Sequence, residues 1–337
     1  MSRCLNLAAK VGREVAPNPM VLSVIVYDGN IIGEGYHQKF GEAHAEVNTI
    51  RSVENKALLK KSTLYVNLEP CSHFGKTPPC ADLIIQNNIS RVVIGSYDPN
   101  PKVAGKGIVK LKNAGVEVIE KVLKKESDYL NRRFITFHSK QRPYIILKWA
   151  ESKDGFMALN ESKQVWLTNY QSKILTHKWR SEEQAILVGR NTVEIDDSEL
   201  TIRLWQGKNP LRIVIDRNLK ISADKKILNH SAKTIVFNEM ENRESENVRY
   251  IKIDFSQNVI EQILHHLYCL EIQSVIIEGG ANTLHHFIQQ NLWDEARIFT
   301  CLQELKNGKH SPEISGKVLE ELVIEDDYLK ILSNSNS

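Results

Sequence analysis

The apolar positions of this chain switch between two spacings, and the switches mark out its elements. Residues 2–12, SRCLNLAAKVG, follow a helical period. APNP at 16–19 stops that helix, because proline lacks an amide donor and restricts the residue before it. In VLSVIVYDGNIIGEGYH two apolar runs flank Asp28-Gly29-Asn30, the pattern of a hairpin. A helix over 43–55 and a strand over 63–68 follow, then a helix opened by Pro78–Pro79 and a buried strand in SRVVIGSYDP. GIVKLKNAG reads as a helix stopped by Gly115, VEVIE as a strand, and residues 121–140 as one charged helix. From RPYIILKWA at 142 a second series starts, with strands at 184–189, 211–216, 233–237 and 274–280, and strand-like pieces in ARIFT and YLKIL. The polar stretch 241–249, ENRESENVR, reads as a solvated loop. Alternating strands and helices predict α/β layers with helices on both sheet faces. The expected domains are residues 1–141 and 142–337.

Composition adds limits. The chain of 337 residues is long enough for two cores. Its 44 basic and 41 acidic residues leave a net charge of +3, too small to point to a nucleic-acid partner. No apolar run approaches membrane-spanning length, so a cytoplasmic protein is expected. Five cysteines, sparse and odd in number, do not form a disulfide framework. Cys4, Cys269 and Cys301 lie among apolar neighbours and are expected to be small core residues.

The remaining two cysteines carry chemistry. His44 and Glu46 lie in HAEV, and Cys71 and Cys80 in EPCSHFGKTPPC. One imidazole and two thiolates are zinc ligands that leave a fourth position for water. Glu46 has the right chemistry to move a proton beside them without ligating. His-x-Glu followed by Pro-Cys and a second Cys is the zinc-deaminase arrangement. In a helix interior residues two apart face different ways, so His44 and Glu46 belong at the helix entry. Cys80, at a helix start, is placed where a thiolate is stabilised. Eight residues separate the cysteines, enough for a loop over substrate, with His73 and Lys76 set to meet an anionic group.

In the second half GRNT at 189–192 and EGGANT at 278–283 each follow an apolar strand and can aim backbone N–H groups at phosphate. No GxGxxG follows a strand, so a Rossmann dehydrogenase is not indicated.

APNPMV, GEGYHQKFGEAHAEV, LEPCSHFGKTPPC and DPNPKVAGKG resemble the deaminase domain of riboflavin biosynthesis. RPYIILKWAESKDG, HKWRSEEQAILVGRNTVEIDD, LTIR, PLRIVID and IIEGG resemble its fused reductase. The resemblance implies a cytidine-deaminase-like three-layer α/β/α domain followed by a dihydrofolate-reductase-like α/β domain. It implies zinc (one Zn2+ per chain) in the first and NADPH in the second. The implied activity is deamination of a diaminopyrimidine ribosyl phosphate, then reduction of its ribosyl chain to ribityl. His44, Cys71 and Cys80 match the zinc ligands and Glu46 the proton shuttle. Asn18, His37, His73, Lys76, Asp98 and Asn100 match the deaminase's substrate positions. Lys148, Asp154, Ser172, Arg180, Asp197, Arg203 and Glu278 are expected to bind the reductase substrate, with Asp197 as the candidate general acid. Trp166, Thr168, Gly189, Thr192, Gly279 and Gly280 are expected at the cofactor. A homo-oligomer, dimer or tetramer, is implied. The alternatives are a chain that only deaminates, or a nucleoside or tRNA deaminase carrying an unrelated second domain.

Three positions depart from the resembled pattern. Leu22–Ser23 stands where small residues are usual, which either narrows the pyrimidine pocket or is absorbed by packing. Lys173 replaces a usual arginine and Ser198 a usual proline, which predicts looser organisation around the sugar.

Overall fold

Among the described residues the alternating pattern becomes a five-stranded sheet, a ten-stranded sheet and a small two-stranded one. The structure, a computed structural model, describes residues 1–8, 12–72, 78–100, 103–160 and 164–335. Contacts divide the chain into two compact units, Met1–Gln141 and Arg142–Ser337.

The first unit holds α1 (Ser2–Ala8), β1 (Leu22–Tyr27), β2 (Asn30–Tyr36), α2 (Ala45–Ser52), β3 (Thr63–Leu68), α3 (Cys80–Gln86), β4 (Arg91–Ser96), α4 (Lys106–Asn113), β5 (Glu117–Ile119), α5 (Lys124–Leu130) and α6 (Arg132–Lys140). Its sheet runs β2-β1-β3-β4-β5, antiparallel across β2-β1-β3 and parallel from β3 to β5. Asp28 and Gly29 both take positive φ, 48° and 75°, the geometry of a tight two-residue hairpin turn. Side chains alternate along β1. Ile25 joins Leu64, Val66 and Ile94 under Ile50 of α2 and Ile84 of α3, while Leu22 and Val24 pack with Cys4 of α1 and Leu130 of α5. The sheet is thus a middle layer between helices. The expected helix over 2–12 is shorter: residues 9–11 lie outside the described part, and Gly12–Val15 is a tight 3-10 turn. The single charged helix expected over 121–140 is two helices. They break at Asn131, whose side-chain oxygen accepts from Met20 N–H (2.8 Å) while its amide donates to the Met20 carbonyl (3.1 Å). Asn67 supports the same segment, accepting from Leu22 N–H and donating to Met20 C=O, both at 2.8 Å.

The second unit holds β6 (Tyr144–Glu151), β7 (Phe156–Ala158), α7 (Tyr170–Glu182), β8 (Ala185–Gly189), α8 (Arg190–Asp196), β9 (Leu211–Ile215), β10 (Thr234–Asn238), β11 (Arg243–Glu244), β12 (Val248–Lys252), α9 (Val259–Cys269), β13 (Ser274–Ile277), α10 (Ala281–Gln289), β14 (Glu295–Thr300), β15 (Lys309–His310), β16 (Lys317–Ile324) and β17 (Asp327–Ser333). The large sheet has the order β11-β12-β10-β9-β8-β13-β6-β14-β17-β16, parallel from β12 to β14 and antiparallel at both margins. Its central strands are near-continuous apolar runs because both faces are covered. Ile145, Leu147 and Ile277 meet Ile263 of α9 and Phe287 of α10. On the other side Ile146 and Ile276 meet Trp179 of α7. The stretch 241–249 is not a free loop: Arg243 and Glu244 pair with Tyr250 and Arg249 at the sheet margin, where both faces stay wet and a polar composition suffices. Cys269 is another correction. It ends α9 exposed, its sulfur 3.6 Å from His265 Nε2, while Cys4 and Cys301 are buried. No helix among the described residues is long and apolar enough to cross a membrane.

Candidate active sites

In the first unit the chain brings a nitrogen and two sulfurs to one point. His44 is the extended residue just before α2, with φ −69° and ψ 163°, so its ring leaves the helix axis while Glu46 enters the first turn. Cys71 follows β3 and Cys80 opens α3 behind Pro79. His44 Nδ1 lies 3.3 Å from Cys80 Sγ and 3.6 Å from Cys71 Sγ, and the three donor atoms are all within 4.8 Å of one another. Cys80 N–H donates to Cys71 Sγ at 3.3 Å. The neighbouring Cys80 thiol holds the Cys71 thiol well below its ordinary value, against its burial, with His44 also helping. An imidazole and two sulfurs at this spacing fit a zinc ion.

Glu46 is buried against this cluster, and burial, aided by the Cys71 charge, pushes its carboxyl up to about 6. A cavity of about 250 Å³ opens over His44, Glu46 and Cys71. Asn18, His37, Asp98 and Asn100 line it. His37 Nδ1 lies 3.1 Å from the Ala43 carbonyl, and Asn18 Nδ2 lies 2.9 Å from His37 Nε2. The carbonyl can only accept, so Nδ1 carries the proton and Nε2 accepts from Asn18. That orientation leaves the Asn18 side-chain oxygen as the acceptor available to a donor on a ligand in the cavity. Burial also lowers the His37 pKa, which keeps the ring neutral. Asp98 Oδ1 accepts from Asn100 N–H at 2.8 Å, and burial raises its carboxyl to about 7. His73 and Lys76 lie outside the described residues. Leu22 points away from this cavity into the layer with Cys4 and Val24, so the departure from a small residue is absorbed by packing.

The second unit contains a cavity of about 1450 Å³, well above the size of an ordinary small-ligand pocket. Neighbouring parallel strands β8 and β13 end at its edge, and each runs into a helix capped by glycine, Gly189 before α8 and Gly280 before α10. Gly280 N–H donates to Thr192 Oγ1 at 3.1 Å, which ties the two strand exits together. A Cβ at Gly189 would come within 2.8 Å of Thr283 Oγ1, and one at Gly279 within 2.7 Å of Thr283 Cβ. Two exits stripped of side chains beside two helix starts form a cradle that fits the pyrophosphate of a dinucleotide. Trp166 and Thr168 stand on the cavity wall, and Lys173 Nζ sits 4.1 Å over the Trp166 ring. Lys173 therefore keeps a cation–π role that needs no planar fork.

The cavity's charged residues mostly hold one another. Arg180 grips Glu278 with two hydrogen bonds, Nε to Oε1 at 3.0 Å and Nη2 to Oε2 at 2.7 Å. Burial works to raise the Glu278 carboxyl, but Arg180 and Lys148 outweigh it and bring it down to about 2. Burial lowers the pKa of Lys148, with Glu278 opposing. Asp197 caps α8 in a left-handed conformation and takes the Lys226 N–H at 3.0 Å and its ammonium at 2.9 Å. That N–H, then that ammonium, hold the Asp197 carboxyl below its usual range. Such a carboxylate accepts and does not donate, which argues against Asp197 as a general acid. The same two contacts fix the turn that Ser198 was expected to loosen. Arg203 also lines the cavity, bonded to Glu199 at 3.2 Å. Two expected contacts are not brought there. Asp154, outside the cavity lining, anchors the turn at 305–306, accepting from Leu305 N–H (3.1 Å) and Lys306 N–H (2.7 Å). Ser172 faces inward from the first turn of α7, fully buried.

Two residues escaped the sequence reading. His177 lines the large cavity and accepts from Arg203 N–H at 3.1 Å. Burial, then the charges of Arg180 and Arg203, lower its pKa to about 4. Its place three residues before Arg180, on the same helix face, was the available signal. Glu69, beside Pro70, is buried in the smaller site, and nothing in its spacing announced that.

Comparison with known proteins agrees with this geometry. Residues 1–96 match the family described as cytidine and deoxycytidylate deaminase zinc-binding region, and residues 143–301 match the RibD C-terminal domain. The chain is 40% identical over 326 residues to riboflavin biosynthesis protein RibD of Aquifex aeolicus strain VF5, covering 95% of this chain and 91% of that one. It is 36% identical over 316 residues to the protein of the same name from Escherichia coli strain K12, covering 89% and 86%. Among solved structures it resembles a diaminohydroxyphosphoribosylaminopyrimidine deaminase/5-amino-6-(5-phosphoribosylamino)uracil reductase from Thermotoga maritima, with TM-score 0.90, 37% identity, and 99% and 97% of the two chains covered. Acinetobacter baumannii RibD follows at TM-score 0.87 and 30% identity, covering 98% and 97%. The expected fold class holds, a cytidine-deaminase-like unit fused to a dihydrofolate-reductase-like one. With metal donors gathered in one unit, a dinucleotide-sized cavity in the other, and relatives matched along nearly their whole length, the chain belongs to the RibD family of bifunctional deaminase–reductases of riboflavin biosynthesis.

Proposed function

We propose that the first unit hydrolyses the ring amine of a diaminopyrimidinone ribosyl phosphate, and that the second reduces the ribosyl chain of the product to ribityl with NADPH. The carrying observation is the convergence of His44, Cys71 and Cys80 with a buried carboxylate beside them. His44 Nδ1 and the two sulfurs would hold zinc, which when bound supplies Lewis acidity toward a water. Glu46, with its carboxyl near 6, accepts a proton at its oxygen and returns it to the departing amine, so ammonia leaves neutral. Asn18 offers an acceptor to the pyrimidine edge, and Asp98 and Asn100 face the sugar.

In the second unit the glycines at 189, 279 and 280, with Thr192, would seat the cofactor's phosphates, and Trp166 and Thr168 its nicotinamide end. NADPH, when bound, would supply hydride to C1 of the open-chain imine formed when the ribosylamine ring opens, and the attached nitrogen would take its proton from solvent in the cavity. Lys148, Arg180 and Glu278 orient the sugar chain from the floor of the cavity, Arg203 meets its phosphate, and Asp197 accepts a hydroxyl. The assembled protein is a dimer or tetramer. The outer strand β16 leaves Val318, Leu319, Leu322 and Val323 exposed at the sheet margin, an edge that a second copy would cover.

The test is sequential. Ammonia release from the diaminopyrimidinone ribosyl phosphate should need metal, and NADPH oxidation should begin only once that product exists. NADPH consumption unaffected by chelation, starting from the undeaminated compound, would contradict the order of steps. No NADPH consumption after complete deamination would leave a chain that only deaminates.

A further inference from the structure

Glu69 stands at the end of β3, two residues before Cys71, with only 4% of its surface exposed. Its hydrogen-bond partners are backbone amides. Oε2 accepts from Gly105 N–H at 3.0 Å and Asp98 N–H at 3.4 Å, and Oε1 from Gly107 N–H at 3.0 Å and Ile108 N–H at 3.4 Å. Glu69 N–H in turn donates to the Ser96 carbonyl at 2.9 Å, which fixes its backbone to the end of β4. The amides at 105, 107 and 108 belong to the start of α4, where a negative charge is favoured. The approach is tight enough to require glycine: a Cβ at Gly107 would sit 2.0 Å from the Pro70 carbonyl oxygen. Gly105 takes φ +80°, turning its N–H toward the carboxylate.

The gripped segment carries Asp98 and Asn100, which line the same cavity as Glu69, His44 and Cys71. We propose that Glu69 is a positioning residue of the deaminase. Its carboxylate locks the segment bearing Asp98 and Asn100 to the arm bearing Cys71, so that sugar and reacting carbon are presented in one frame. This rests on the reading above that Asp98 and Asn100 face the sugar. A carboxylate is needed because two oxygens serve four donors. A carboxamide keeps one oxygen and turns its own N–H groups toward two N–H donors, so two of the four hydrogen bonds become clashes. A displacement of an ångström at the reacting centre costs about a hundred-fold in rate, so looser registration must show in kinetics.

The test is Glu69→Gln in the full chain. The expected result is retained zinc, a KM for the ribosyl phosphate substrate raised at least about ten-fold, and faster hydrogen exchange over 98–100 and 103–108. The inhibition constant of the free pyrimidine base, which lacks the sugar phosphate, should change less than about two-fold, and NADPH oxidation with pre-deaminated substrate should be unchanged. Gly105→Ala loosens the same contact from the other side, by strain at φ +80°, and should reproduce the selective loss. Equal weakening of substrate and free base, or loss of zinc in both variants, would overturn the proposal, as would unchanged kinetics. Asp98→Ala separates the two readings. If it weakens substrate over free base and Glu69→Gln does not, the positioning role fails. If Asp98→Ala shows no preference, the sugar-facing reading fails first.

Discussion

Replacing Glu278 by glutamine keeps the shape of the reductase cavity floor and removes one charge. Arg180 and Glu278 are 12% and 9% exposed at their side chains, so solvent screens their attraction little. The Glu278 carboxyl falls from 4.5 to about 2, which at about 1.4 kcal/mol per pH unit corresponds to about 3 kcal/mol of stabilisation. Breaking a buried pair costs roughly 3–5 kcal/mol by comparison with other proteins, because the partner charge is stranded. Here Arg180 and the desolvated Lys148 would both lose their anion. The pH signature has a definite sign. A depressed carboxyl contributes fully above its unfolded value of 4.5, and the contribution disappears as pH falls through about 2. The variant should therefore be weaker by about 3 kcal/mol at pH 7, with a midpoint lower by about 6–12 °C, and the gap should narrow below pH 4.5. All five tryptophans lie in the second unit, at 149, 166, 179, 205 and 293, so tryptophan fluorescence of the full chain reports this unit selectively. Adding Arg180→Met should restore part of the loss, giving a coupling energy of about 3 kcal/mol in a double-mutant cycle. Equal midpoints at pH 7, or additive losses in the double variant, would refute the reasoning.

Three further outcomes are expected. Leu22→Ala should cost about 2–5 kcal/mol of stability in the first unit by opening the layer with Cys4 and Val24, while leaving the deaminase KM unchanged; calorimetry and initial rates decide. Asp98→Asn should stabilise the chain at pH 8 but not at pH 4. The Asp98 carboxyl is raised from 3.8 to about 7, so its contribution is full below 3.8 and is lost as pH rises through about 7, whereas asparagine does not ionise; urea denaturation at the two pH values tests this. Glu46→Gln should slow ammonia release by about 10²–10⁴-fold while NADPH oxidation with pre-deaminated substrate continues at the parent rate.

The metal cluster was legible in the sequence because its information is local. Ligand type, the Pro-Pro helix start before Cys80 and the helix entry at His44 are all set by a few adjacent residues. The second unit was less legible because its charges find partners far along the chain. Arg180 and Glu278 are 98 residues apart, and no spacing rule says that they neutralise one another. Asp154 looked like a ligand-facing acid, yet its acceptors serve two amides 151 and 152 residues away. Glu69 was invisible for a different reason: a carboxylate satisfied by backbone amides leaves no complementary side chain to notice. The break at Asn131 depends on Met20, 111 residues earlier, so helical periodicity ran straight through it. The exposed β16, KVLEELVI, has no clean two-residue alternation, because its outward and inward faces are both uncovered.

The central claim is that one imidazole and two sulfurs hold the metal on which deamination depends. Its most direct test is the zinc content of the purified full chain measured beside variants of the cluster. The parent protein and Glu46→Gln should each carry one zinc per chain, and His44→Ala and Cys80→Ser should carry almost none. A full complement of zinc in either ligand variant, or a parent chain that releases ammonia at full rate without metal, would contradict the account.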